Sequence, residues 1–267
     1  MHVTISGQPT YLYTGGKDDA AQQALPPLLF LHGAQQDHSC WALQSRWFGH
    51  HGYRVLAPDL PAHGRSGGEP LPSVEALADW AVALLDSLGI AQVRLVGHSM
   101  GSLIGLELAR RYPERVQAAA LIGSALPMPV AEPLLAAADS NEAKAAAMIN
   151  AWSYSPRGML GRSAAPGLWL LGMNTRLMAR QRRGVLPVDL RACNAYVPDP
   201  ASLAAVRCPV QLLAGEKDRM TPLKAGKALA ALLPQAQLQV IPEAGHAMMA
   251  EAPDAVLDAL REFFARH

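Results

Sequence analysis

The chain has 267 residues, half of them hydrophobic and only 17% charged, against roughly 25% charged in an ordinary soluble protein. That much apolar material excludes intrinsic disorder as a description of the whole, and punctuation by 22 Gly and 21 Pro excludes a coiled coil or a collagen repeat. Twenty-three Lys and Arg against 22 Asp and Glu leave a net charge of +1 with no basic stripe, which argues against nucleic acid as a partner.

The N-terminal stretch has neither a basic start nor an apolar core, so no signal peptide is visible. With three scattered cysteines, Cys40, Cys193 and Cys208, the pattern predicts reduced, mostly buried thiols in a cytoplasmic protein, with no disulfide framework and no zinc site. Residues 3–5 and 11–13 read as a hairpin at a sheet edge, and 17–23 as a polar loop. Short apolar runs follow at 28–31, 54–60, 93–96 and 116–122, most of them ending at Gly or Pro. Helical patterns near 40–51, 73–88 and 100–112 lie between them, with Ser73 placed as an N-cap and Gly89 as the glycine just past a helix end. Buried runs alternating with helices predict a parallel sheet with helices on both faces. The apolar stretch 116–131 is interrupted by Gly123, Pro127 and Pro129, so no membrane span is expected.

From 126 to 196 strand signals cease. Ala-, Leu- and Met-rich helical patterns, such as 142–152 and 169–182, are separated by Pro127, Pro129, Pro166 and Pro187. The Arg-rich residues 180–183 read as a solvated helix end. Alternation resumes with runs at 209–214 and 238–241 and helices near 222–233 and 252–265. The pattern predicts a core of 1–125 and 197–267, carrying 126–196 as an inserted helical cap.

Gly97-His98-Ser99-Met100-Gly101 fits G-x-S-x-G between an apolar run and a helical pattern. A sharp strand-to-helix turn there would present the serine hydroxyl at a helix N-terminus, where developing negative charge is favoured. A serine needs a base. Of nine histidines, His246 is best placed, on a loop after the last strand; His98 is expected to point away from the reaction centre, and His32 and His63 to hold loops. The base needs a carboxylate to fix its tautomer, and Asp218 follows the 209–214 run, with Glu216 and Glu243 as rivals. Loops at the carboxyl ends of parallel strands share one sheet edge, so Ser99, Asp218 and His246 can converge. Oxyanion donors are expected from the backbone N–H of Met100 and from the His32-Gly33-Ala34 loop, with Ala34 the donor chosen.

With the HG loop, Asp59-Leu60-Pro61-Ala62-His63-Gly64-Arg65-Ser66, the serine motif, Gly215-Glu216-Lys217-Asp218 with Pro222, and Gly245-His246 in this order, the chain resembles the α/β-hydrolase superfamily over nearly its whole length. The resemblance implies an eight-stranded, mostly parallel sheet with a helical cap, a structural role for 59–66, and no metal or organic cofactor. A serine rather than an aspartate at 99 departs from dehalogenase- and epoxide-hydrolase-like relatives, and the loop after His32 lacks the extra glycines of lipase-type relatives. Met128, Trp152, Trp169, Met173 and Met248 are candidate pocket residues for a small hydrophobic substrate. The expected reaction is hydrolysis of a small or medium hydrophobic ester. The same triad could cleave a carbon–carbon, amide or lactone bond, and a ligand-binding relative with little turnover remains a different class of reading. Monomer and homodimer are both open.

Overall fold

The apolar runs at 28–31, 93–96, 116–122 and 209–214 become strands buried on both faces, while the run at 238–241 becomes a more exposed edge strand. In the computed structural model, which describes residues 1–15, 26–160 and 167–267, eight strands form one sheet. In chain order they are β1 (His2–Ile5), β2 (Gln8–Tyr13), β3 (Leu28–Leu31), β4 (Val55–Pro58), β5 (Val93–His98), β6 (Val116–Ile122), β7 (Val210–Gly215) and β8 (Ala236–Ile241). Their spatial order is β1-β2-β4-β3-β5-β6-β7-β8. The β1–β2 hairpin is antiparallel and joins β4 antiparallel, while every pairing from β4 to β8 is parallel. The expected sheet and its edge hairpin are therefore present; the polar stretch 17–23 lies outside the described residues.

Alternation along the strands divides the core. Leu29, Leu31, Leu95 and Leu121 pack with α2 (Val74–Ser87) and α3 (Met100–Arg111) on one face. Leu28, Phe30, Val96 and Ala120 pack with α1 (Ala42–His50) and α11 (Pro253–Arg266) on the other. Ser73 caps α2 by accepting the Ala76 N–H at 3.2 Å, and Gly89 follows that helix in a left-handed conformation, φ 65°. No helix among the described residues is long and apolar enough to cross a membrane.

Between β6 and β7 lie α4 (Glu132–Ser140), α5 (Glu142–Ser153), α6 (Pro156–Met159), α7 (Leu170–Ala179) and α8 (Val185–Ala195), and no strand among the described residues. Pro187, expected to separate helices, instead sits in the first turn of α8, where a missing N–H costs no intrahelical bond. α9 (Leu223–Leu232) and α10 (Met248–Glu251) complete the helices.

Residues 180–182 are not merely a solvated helix end. Arg180 holds the Asp37 carboxylate through Nε and Nη2 at 3.0 and 2.6 Å. Gln181 donates to the same carboxylate at 3.0 Å and accepts the Gly64 N–H at 2.8 Å. Arg182 donates to the Gly68 carbonyl at 2.8 Å. The sequence hid this because charged helix ends are usually solvated, and the partners lie more than a hundred residues away in the chain. Burial alone would raise the Asp37 carboxyl, but hydrogen bonds from Ser39 and the Arg180 guanidinium outweigh it and bring it down to about 2. A carboxylate depressed on folding stabilises the fold fully above its ordinary value of 3.8, and that contribution disappears as pH falls towards 2. Asp37→Asn should therefore lower the urea midpoint at neutral pH, and the gap from wild type should close between pH 4 and 2. A gap constant with pH would contradict the assignment.

Candidate active site

Ser99 stands between β5 and α3 with φ 53° and ψ −120°, a left-handed conformation that is strained for a residue with a side chain. The turn closes because its flanking residues are glycines. A Cβ at Gly97 would run into the Gly101 carbonyl oxygen, and a Cβ at Gly101 would meet the Leu31 oxygen and stand 2.6 Å from that of His32. The Ser99 N–H is bonded to the Ile122 carbonyl of β6 at 2.9 Å, and its own carbonyl accepts from Ser102 N and Leu103 N. Met100 opens α3, so its N–H is one of the unpaired donors at the helix N-terminus.

The loops after β7 and β8 meet beside this turn. His246 Nδ1 donates to Asp218 Oδ2 at 2.8 Å, with both residues buried. Asp218 Oδ1 accepts the N–H groups of Met220 and Thr221, each at 2.8 Å. Thr221 Oγ1 donates to Asp218 Oδ2 at 2.7 Å and lies 3.2 Å from His246 Nδ1. Burial works to raise the Asp218 carboxyl, but the His246 charge and hydrogen bond and the two Thr221 bonds leave it below the usual range. Glu216 is on the surface, accepting the Glu243 N–H, and Glu243 pairs with Lys217; neither faces His246.

His98 does not point away. Its Nε2 donates to the His246 carbonyl at 3.0 Å, and the two rings lie 4.7 Å apart. Burial and the neighbouring His246 push His98 down to about 3, so it stays neutral while bracing the His246 backbone. His32 is also neutral: its Nδ1 donates to the Gly33 carbonyl at 2.9 Å, its Nε2 accepts the Leu60 N–H at 3.0 Å, and burial followed by His63 pushes it down to about 4. Asp59, in the 59–66 loop, accepts from His38 and Arg65 N–H and fixes that loop. Asp37, His38 and Asp59 form a cluster of metal-capable atoms, but the two carboxylates already receive donors from Ser39, Arg180, His38 and Arg65.

The profile of a known family, described as "Alpha/beta hydrolase family", matches residues 28–259. The chain belongs to the alpha/beta hydrolase family. It is 33% identical over 246 residues to the pimeloyl-[acyl-carrier protein] methyl ester esterase of Aromatoleum aromaticum, covering 86% of this chain and 94% of that one. It is 29% identical to the 2-hydroxymuconate semialdehyde hydrolase of Pseudomonas putida, covering 79% and 77%. Among solved structures, the enol-lactonase of Burkholderia xenovorans superposes with a TM-score of 0.87 at 21% identity, over 99% of this chain and 100% of that one, a likeness of fold. This alpha/beta hydrolase is accordingly an enzyme of the hydrolase class.

In this hydrolase Ser99, His246 and Thr221 line one cavity of about 330 Å³, together with Gly33, Ala34 and His98. Met128 and Trp152 of the insertion also line it. Three expected pocket residues do not. Met248 is fully buried in the core between the sheet and α11. Trp169 and Met173, 67% and 49% exposed, lie on a separate groove along α7, facing Leu43 and Met249. Composition alone could not separate these sites, because Met and Trp serve core, groove and pocket equally well. Thr221, Leu134, Ile149 and Arg219 were missed as lining residues; for Thr221 a usable signal was its place three residues after Asp218, within reach of an Asx-type bond.

Thr221→Val keeps the shape and removes a hydroxyl bond to a carboxylate, worth about 1.5 kcal/mol. The expected outcome is a turnover number roughly tenfold lower with little change in KM. Unchanged turnover would show that Thr221 does not support the Asp218–His246 pair.

Proposed function

We propose that this hydrolase cleaves small to medium hydrophobic carboxylic esters through an acyl-enzyme on Ser99. The observation that carries the reading is the strained serine turn opening into a largely apolar cavity that the Asp218-paired His246 also lines. At about 330 Å³ the cavity is near the lower end of small-molecule sites, which favours a compact acyl group. The ester-hydrolase name borne by the Aromatoleum relative points to the same bond type.

In the proposed reaction Ser99 Oγ attacks the ester carbonyl while His246 Nε2 takes the hydroxyl proton. Asp218 fixes the tautomer, because its bond to Nδ1–H leaves Nε2 free to act as the base. The carbonyl oxygen, now an anion, is held by the N–H groups of Met100 and Ala34. His246 then gives its proton to the leaving alcohol. Water deprotonated by His246 attacks the acyl-enzyme and releases the acid. Residues 126–196 serve as the cap, since Met128, Trp152 and Ile149 supply apolar walls that would exclude bulk water.

Hydrolysis of p-nitrophenyl esters from acetyl to dodecanoyl, with Ser99→Ala in parallel, tests the reading. Turnover should peak well short of dodecanoyl and fall by at least about 10³-fold in the variant. Equal activity in the variant would remove Ser99 as nucleophile. An inert ester panel would remove the ester assignment and move the search to carbon–carbon, amide and lactone bonds.

A further inference from the structure

One pair of buried charges is not used by the proposed reaction. His63, in the loop after β4, and Asp189, in α8 of the insertion, are both almost fully buried, with His63 Nε2 and Asp189 Oδ2 2.9 Å apart. His63 Nδ1 lies 2.9 Å from the Pro61 carbonyl. Both ring nitrogens face oxygen acceptors, so both bonds form only when the ring carries two protons. Burial opposes that charge, but the Asp189 carboxylate, with smaller help from Pro61 and Asp59, raises His63 above its ordinary value.

The same Asp189 oxygen has a second task. It accepts the N–H of Gln35 at 2.9 Å. Gln35 is a left-handed residue, φ 55°, a conformation that persists in a non-glycine residue only where surrounding contacts hold it. It directly follows Ala34, whose N–H is the proposed oxyanion donor. The peptide that carries that N–H is held from the core side, where its Gly33 carbonyl accepts from His32 Nδ1 at 2.9 Å and from Gln36 N at 3.3 Å. The peptide after Ala34 is held by Asp189. Gln35 Nε2 adds a bond to the Met178 carbonyl of α7 at 3.3 Å, so the insertion grips this residue twice.

We infer that Asp189 is a positioning residue: braced by His63, it fixes the Ala34–Gln35 peptide from the inserted helices and so sets the aim of the Ala34 oxyanion donor. The inference rests on the serine-nucleophile reading above, but not on the choice of ester as substrate. A cation and an anion buried together offset part of each other's desolvation cost, and either one left alone is strongly destabilising. The insertion therefore shapes the reaction centre itself as well as the walls of the pocket.

The test is the rate at which a fluorophosphonate modifies Ser99, an event in which the Oγ–H bond breaks with its proton taken by His246, the Oγ–P bond forms, fluoride leaves and the phosphoryl oxygen occupies the oxyanion site. It needs no knowledge of the natural substrate. Exchanging both charges in His63→Leu/Asp189→Leu removes the acceptor for Gln35 without stranding an ion. The expected result is a folded protein with full final labelling but a rate constant at least about tenfold lower, since loss of an oxyanion donor costs up to 10²–10³. Asp189→Asn, which can still offer an oxygen to Gln35, should restore the rate to within about threefold. A merely structural role would reduce the labelled fraction and the melting temperature and leave the rate constant per active molecule unchanged. An unchanged rate constant in the double variant would overturn the inference, as would an Asp189→Asn variant as slow as the double one. Failure of the double variant and of Asp189→Ala to fold would also overturn it, because the contact would then serve folding instead of aim. If the wild type resists labelling, the serine reading fails and this inference with it. If it labels but cleaves no ester, only the ester assignment fails.

Discussion

The left-handed turn at Ser99 is the constraint on which the rest of the molecule depends. A side chain held at φ 53° is unfavourable by about 1–3 kcal/mol, and the cost is met because β5 and α3 are locked around it. β5 lies at the centre of the sheet between β3 and β6, and α3 packs close enough that Gly97 and Gly101 have no room for a Cβ. Any relaxation of the serine would have to lift α3 off the sheet or break the Ser99–Ile122 backbone bond. The strained residue is thus fixed by the most buried part of the fold, and its hydroxyl is aimed at the edge where every parallel strand delivers its following loop.

What gathers at that edge is organised by burial of charge. Asp218 is surrounded by four donors, from Met220, Thr221 and His246, so its carboxylate is satisfied without solvent. His98 sits against His246 and stays neutral, which avoids a second cation beside a ring that must accept a proton in the proposed reaction. His32 is neutral for a similar reason, buried next to His63, whose own value the Asp189 carboxylate raises against the effect of burial. Four buried histidines in one neighbourhood are thus held by different partners: Gly33 and Leu60 for His32, Pro61 and Asp189 for His63, the His246 carbonyl for His98 and Asp218 for His246.

Much of this was legible in the sequence. All eight strands show as apolar runs or as the edge hairpin, because strands buried on one or both faces must be apolar, and the spacing of Ser99, Asp218 and His246 at loop positions follows from the alternation. The side chains that act across the insertion were not legible. Asp189 lies two residues after Pro187, and a proline inside a candidate helix reads as a break, although the first turn tolerates it. Its partners are 154 and 126 residues away, a separation over which no local pattern carries information. Met248 misled for the opposite reason: it follows His246 closely, yet the short helix it opens turns it into the core.

A division of labour between sheet edge and insertion is consistent with one fold hosting a methyl ester esterase, a 2-hydroxymuconate semialdehyde hydrolase and an enol-lactonase. The groups around Ser99 are carried by loops that follow the parallel strands, so strand register brings them to one edge. The cavity walls come largely from 128–193, a segment whose helices pack chiefly on one another and on the loops after β3 and β4. Polar links also run back to the core, among them Asp37 with Arg180 and Gln181, Asp189 with His63 and Gln35, and Ser155 with Glu251. The first two tie the inserted segment to the loop that carries Ala34. In the proposed reaction, a change in the insertion would therefore reach the oxyanion donor at Ala34 as well as the cavity walls, through a few buried hydrogen bonds.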